Sequence, residues 1–159
     1  TDDFFGIILA DDLILSEPGC LKQLLEIHEK TQSSVLGVFS ASENQVSNYG
    51  VISSKNIDGI EKVDGIVEKP KPADAPSNLA VFGRYILSKD IFLNIEQTKP
   101  GLNNEIQLTD AIQDLISNQD VFALEFEGRR FDCGSKEGYI SAIIDRALSI
   151  DKYKSIIEK

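Results

Sequence analysis

Four acidic residues and one lysine carry most of the chemistry this sequence can offer. Asp11 and Asp12 follow the apolar run Phe4-Phe5-Gly6-Ile7-Ile8-Leu9-Ala10, and Asp132 lies in Phe131-Asp132-Cys133-Gly134-Ser135. His28 is the one histidine, and Cys20 and Cys133 are the two cysteines, so a bound metal has to be held by oxygen. Carboxylates suit Mg²⁺, which takes an octahedron of oxygens and keeps waters and substrate phosphates as its remaining ligands. Capping of a turn or helix accounts for Asp11 and Asp12 equally well, and a tight Asp-x-Gly turn accounts for Asp132. Two strand-end carboxylates far apart in sequence are nevertheless the pairing that builds a metal site without His or Cys ligands.

Glu68-Lys69-Pro70 sets an acid beside an amine just before a stiff loop. A carboxylate accepts hydrogen bonds from sugar hydroxyls and an ammonium pairs with phosphate, so the two together suit a sugar phosphate; a solvated ion pair on an edge is the plainer alternative. In Tyr49-Gly50-Val51 the glycine offers backbone that a ligand can approach closely, or marks a bulge. Neither cysteine has a base beside it, and His28 falls on the apolar stripe of an expected helix, as a core or boundary residue. Neither Gly-x-Gly-x-x-Gly nor the Walker lysine loop occurs, which removes dinucleotide binding of the Rossmann type and P-loop hydrolysis.

The elements that must position these groups follow from hydrophobic spacing. Phe4 to Ala10 reads as a strand buried on both faces, a helix is expected over about 18–31, and a strand over 35–39. Strand, helix, strand is the unit of an α/β fold with a parallel sheet. Short antiparallel strands are expected from 49 to 69, divided by Asp58-Gly59 and Asp64-Gly65 as turns. The segment 69–78 holds three of the five prolines and reads as a loop. Further on come a strand over 79–87, a helix over 89–97, a helix over 105–118 with Leu108, Ala111, Ile112, Leu115 and Ile116 in one stripe, and a strand over 121–126. The chain then ends in helix, with Tyr139, Ile140, Ile143, Ile144 and Ala147 on one face.

At 159 residues the chain fits one domain, 1–159, and its 42% hydrophobic and 26% charged residues are those of a globular protein. The formal charge of −10 disfavours nucleic acid or an anionic membrane as partner, and no apolar run approaches the roughly 20 residues of a membrane-spanning helix. A reducing cytoplasm is the expected compartment. The sequence contains no Met, which suggests a fragment of a longer chain.

Leu9-Ala-Asp-Asp-Leu-Ile-Leu15, Tyr49-Gly-Val51, Val67-Glu-Lys-Pro-Lys71, Ala75-Pro-Ser-Asn-Leu-Ala80, Gly83-Arg-Tyr85, Asn104-Glu-Ile-Gln-Leu-Thr-Asp-Ala-Ile112 and Phe131-Asp-Cys-Gly134 occur in this order. With these motifs the chain resembles, over nearly its whole length, the bacterial UTP–glucose-1-phosphate uridylyltransferases of the sugar nucleotidyltransferase family. The resemblance implies an α/β fold with a mixed, mostly parallel sheet flanked by helices, Rossmann-like and incomplete at the N-terminus. It also implies Mg²⁺-dependent transfer between UTP and glucose 1-phosphate, giving UDP-glucose and pyrophosphate without a covalent intermediate. By the family pattern Asp11 and Asp132 hold the metal and act in catalysis with Lys69. The Gly50 backbone and Glu68 grip glucose hydroxyls, Lys69 takes the sugar phosphate, and Arg84 and Glu105 line the same pocket.

Family members also begin with a strand and a glycine-rich loop, Leu-Ala-Ala-Gly-x-Gly-Thr-Arg, that cradles the nucleotide triphosphate; this sequence starts after it. The expectation is therefore the C-terminal portion of a catalytic domain, active as part of its parent, inactive alone, and self-associating. A thymidylyl- or cytidylyltransferase is one alternative, and a non-catalytic sugar-phosphate-binding module another.

Overall fold

The computed structural model describes residues 3–101 and 104–157. Along the chain these form β1 (Phe4–Ile8), β2 (Asp12–Leu15), α1 (Cys20–Thr31), β3 (Ser34–Ser40), β4 (Gly50–Ile57), β5 (Ile60–Glu68), β6 (Leu79–Ser88), α2 (Ile91–Gln97), α3 (Leu108–Asn118), β7 (Val121–Glu125), β8 (Arg129–Asp132), α4 (Lys136–Leu148) and α5 (Asp151–Ile157). Six strands make one sheet in the order β1-β6-β3-β7-β5-β4, and β2 pairs with β8 as a separate ribbon. The expected helical tail is present as far as Ile157; Glu158 and Lys159 lie outside the described residues.

The α/β architecture with a mixed sheet matches the expectation, but the predominance of parallel strands does not. Among the described strands only β3 and β7 pair in parallel; β1, β3 and β4 each pair antiparallel with β6, and β5 pairs antiparallel with β4 and β7. The strand–helix–strand unit does make β1 and β3 run the same way, yet β6 is inserted between them in the opposite direction. Hydrophobic runs report burial on two faces, and β6 is buried along nearly all its length with antiparallel neighbours on both sides.

Alternation along β3 shows how the layers form. Val35 joins Leu24 of α1, Phe82 and Ile86 on one face, while Leu36 joins Ile112 and Leu115 of α3 and Ile91 of α2 on the other. A strand points successive side chains to opposite faces, so one apolar run serves two helical layers. Within α1 the buried face is Cys20, Gln23 and Leu24, and Leu25 is exposed, a rotation from the expected stripe. Gln23 is tolerated inside because its amide donates to the carbonyls of Pro18 and Glu127 and accepts from the Glu127 N–H.

Asp58-Gly59 turns as expected, with φ of 51° and 85°, the left-handed pair a tight hairpin demands. Asp64-Gly65 does not turn. It lies inside β5, where Ser53 faces Gly65 and Ser54 faces Val63, so Asp64 is the extra residue of a bulge. Helix α4 packs on β8 and α5 rather than on the large sheet. Tyr139, Ile140, Ile143 and Ile144 are exposed there.

Candidate functional site

Asp11, Glu68 and Asp132 each stand at or just past the carboxyl end of a strand, β1, β5 and β8 respectively. Open α/β sheets present ligand sites at such ends. All three line one cleft of about 480 Å³ with Asp12, Gly50 and Lys69. Small-molecule sites are typically of this size, a few hundred cubic ångströms.

The two members of the Asp11-Asp12 pair differ completely. Asp12 begins β2 opposite Asp132 of β8 and is buried. Its Oδ1 accepts from Arg130 Nε at 2.5 Å and its Oδ2 from the Gly83 N–H at 2.8 Å. Both oxygens are thereby committed, and the charge is balanced. A Cβ at residue 83 would stand 2.8 Å from that Oδ2 and 2.4 Å from Leu9 Cβ, which is why glycine is found there. Asp11 is exposed, and the Arg84 guanidinium holds the backbone around it, donating to the carbonyls of Leu9, Gly83 and Asp12 at 3.2, 2.7 and 2.5 Å.

Asp11 and Asp132 converge on Gly134. A Cβ built there would lie 3.1 Å from Asp132 Oδ1 and 3.2 Å from Asp11 Oδ2, so the missing side chain leaves a cradle with a carboxylate oxygen on either side. The Cys133 N–H bonds the Asp11 carbonyl at 2.7 Å and ties the two segments together. Among the described residues no group of three His, Cys, Asp or Glu side chains is arranged around one point. Two carboxylates with open positions beside them fit Mg²⁺, which leaves room for phosphate and water.

Asp132 Oδ2 accepts from the Tyr49 phenol at 2.8 Å, and Arg130 Nη1 donates to the same phenol oxygen at 3.3 Å. The Arg130 guanidinium carbon lies 4.6 Å from the ring centre of Phe39 and 4.9 Å from that of Tyr49. Burial alone would lower the Arg130 pKa, but its bond to Tyr49 and the charge of Asp12 outweigh this and hold it above its ordinary value. Burial, reinforced by Asp132, raises the Tyr49 phenol despite Arg130, so the phenol keeps its proton and donates.

At the other end of the cleft Gly50 and Glu68 are direct partners across β4 and β5. Glu68 Oε2 accepts from the Thr109 hydroxyl of α3 at 2.8 Å, and its Oε1 lies 3.6 Å from Lys69 Nζ. Gly50 has no room for a side chain, since a Cβ would meet Thr109 Cγ2 at 2.6 Å and Val81 Cγ2 at 3.0 Å. Lys69 has φ of 44°, in the left-handed region, and its N–H bonds the Tyr49 carbonyl at 3.0 Å. A non-glycine residue held there costs about 1–3 kcal/mol, a strain that occurs mostly where a side chain must be aimed.

Arg84 lies beneath the cleft, its donors spent on backbone carbonyls, and does not line it. Glu105 is exposed before α3, where it accepts from Gln107; Gln107 is the one that reaches the cleft wall. Sequence reading missed Tyr49, Thr109 and Arg130. Tyr49 adjoins the glycine of Tyr49-Gly50-Val51, whereas Thr109 lies outside the apolar stripe of its helix and Arg130 sits in the polar stretch Glu127-Gly128-Arg129-Arg130, so neither carries a sequence signal for the cleft. His28 bonds the Ser33 carbonyl and packs on Phe4, away from the cleft.

The chain is 47% identical over 144 residues to a Pseudomonas aeruginosa protein named UTP–glucose-1-phosphate uridylyltransferase, covering 89% of this chain and 52% of that one. A Streptococcus pyogenes UTP–glucose-1-phosphate uridylyltransferase 2 is 43% identical over 156 residues, 94% of this chain and 52% of the relative. The chain thus spans about half the length of the curated relatives it matches. A solved UDP-glucose pyrophosphorylase complexed with UDP-glucose superposes with a TM-score of 0.89 at 44% identity, over 93% of this chain and 57% of that one. The UTP-bound enzyme from Acinetobacter baumannii gives 0.81 at 33%, over 98% and 56%. The family model described as nucleotidyl transferase matches residues 1–147, and the chain belongs to that family.

Proposed function

We propose that this chain supplies the metal-binding and sugar-phosphate part of a UTP–glucose-1-phosphate uridylyltransferase, as the C-terminal portion of its catalytic domain. The observation that carries the proposal is a single cleft joining Asp11 and Asp132, across the Gly134 cradle, to Gly50, Glu68 and Lys69. Names borne by relatives at 43–47% identity support the choice of nucleotide and sugar.

In the proposed reaction a phosphate oxygen of glucose 1-phosphate attacks the α-phosphorus of UTP. That P–O bond forms as the bond to the β-phosphate bridging oxygen breaks, and pyrophosphate leaves with the electron pair. Asp11 and Asp132 would hold Mg²⁺, which offsets charge on the reacting phosphates and orients them. Glu68, fixed by Thr109, accepts hydrogen bonds from glucose hydroxyls, with the Gly50 backbone closing on the sugar. Lys69 pairs with the phosphate of glucose 1-phosphate and holds it for attack. We place the enzyme in the cytoplasm, acting on small molecules, a reducing compartment in which Cys20 and Cys133 stay free thiols; no helix of the described residues is long and apolar enough to cross a membrane. Exposed Ile140, Ile143, Tyr153 and Ile156 support self-association, which light scattering of the purified chain checks.

Isothermal titration with glucose 1-phosphate, with and without Mg²⁺ and then with UTP, tests the proposal. Saturable sugar-phosphate binding that weakens in Glu68→Gln is expected. A folded chain that ignores the sugar phosphate under every condition overturns it. Binding without turnover, even within a full-length parent, would instead favour a sugar-phosphate-binding module.

A further inference from the structure

We propose that Tyr49 and Arg130 are positioning residues that orient Asp132 toward the Gly134 cradle, a role that rests on the metal reading above. A carboxylate at the end of β8 is free to rotate, and two oxygens of equal chemistry compete for whatever lies nearby. Here they are made unequal. Oδ2 is held by the Tyr49 hydroxyl at 2.8 Å, with Arg130 Nη2 a further 3.9 Å contact, whereas Oδ1, among the described residues, accepts only the Gly134 N–H at 3.1 Å and flanks the cradle. The phenol cannot swing away, because its oxygen also accepts from Arg130 and its ring meets Phe39 edge-on at 5.2 Å. Arg130 in turn is anchored through Nε to buried Asp12. The chain Asp12–Arg130–Tyr49–Asp132 thus runs from a committed carboxylate to an available one, and links β2, the segment before β4, and β8. Partners that orient a ligating carboxylate are typically worth 10- to 100-fold in metal affinity, although they never touch the metal.

Mn²⁺ binding to the full 159-residue chain, followed by electron paramagnetic resonance of the free ion, tests this without turnover. The wild-type chain, Tyr49→Phe, Arg130→Lys and Asp132→Asn are compared, each with its melting curve. Tyr49→Phe keeps the ring and removes the donated hydrogen bond, so about 10-fold or greater weakening is expected with a melting midpoint near that of the wild type. Arg130→Lys keeps the charge, loses the planar fork, and should weaken Mn²⁺ in the same direction. Asp132→Asn should abolish binding. Wild-type affinity in Tyr49→Phe, alongside loss in Asp132→Asn, overturns the positioning role and leaves the metal reading standing. Equal behaviour of wild type and Asp132→Asn overturns the metal reading and this proposal with it.

Discussion

Asp12 and Asp132 stand directly opposite each other in the β2–β8 ribbon, yet one is a sealed structural charge and the other keeps an oxygen at the cleft. Like charges facing each other across a ladder are destabilising on their own. Arg130, at 2.5 Å from Asp12 and 3.9 Å from Asp132, makes the juxtaposition possible.

Replacing Asp12 and replacing Asp11 should therefore differ in their cost to stability. Asp12→Ala strips the partner from a guanidinium whose side chain is 12% exposed, and removing one member of a buried pair costs about 3–5 kcal/mol. Asp11→Ala alters an exposed side chain and should leave stability within about 0.5 kcal/mol while removing Mn²⁺ binding. Urea unfolding of both variants checks the contrast.

Gly50→Ala places a methyl group 2.6 Å from Thr109 Cγ2, where α3 must give way. Overpacking of this kind costs about 1–3 kcal/mol, and the shift of Thr109 loosens Glu68 as well. The expected outcome is a lower melting midpoint together with weaker glucose 1-phosphate binding by calorimetry.

Thr109→Val keeps the shape and removes the hydrogen bond to Glu68 Oε2. A hydrogen bond of this kind contributes about 1 kcal/mol, so sugar-phosphate affinity should fall roughly 5-fold while the fold is retained. Unchanged affinity in the same titration would mean that Glu68 needs no support from α3.

The two thiols should react at different rates. Burial pushes Cys20 up to about 11, against a small opposing effect of Arg84, whereas Cys133 is partly exposed. At pH 8 a maleimide should modify Cys133 first and Cys20 only on unfolding, as mass spectrometry of peptides would show. The sign for stability follows. The folded state keeps the Cys20 proton longer than the unfolded chain, whose thiol titrates near 9, so this contribution is full below pH 9 and declines from there to about 11.

Much of the fold was legible because local patterning acts over a few residues. The runs at Ser34–Ser40 and Leu79–Ser88 and the stripe of α3 formed the elements their spacing implies, and Phe4–Ile8 formed a strand, although it stops short of Ala10 and leaves Ile8 exposed instead of buried on both faces. The Asp58-Gly59 turn formed for the same reason, while Asp64-Gly65 was overruled by the pairing of β5 with β4. A dipeptide that permits a turn also permits a bulge, and the partner strand chooses between them.

On its own, then, the sequence determined most element types, though not the β2–β8 ribbon, together with the acidic and oxygen-rich character of the chemistry and which short segments carry it. Only the tertiary structure decided that β6 separates β1 from β3, since strand neighbours are chosen by packing among distant segments. It also decided that Asp12 is neutralised by Arg130 from 118 residues away while Asp11 is left at the cleft, and that Thr109 and Tyr49 turn toward Glu68 and Asp132. Hydrogen bonds and ion pairs depend on distance in space and act over only a few ångströms, so their partners become readable when the chain has closed on itself.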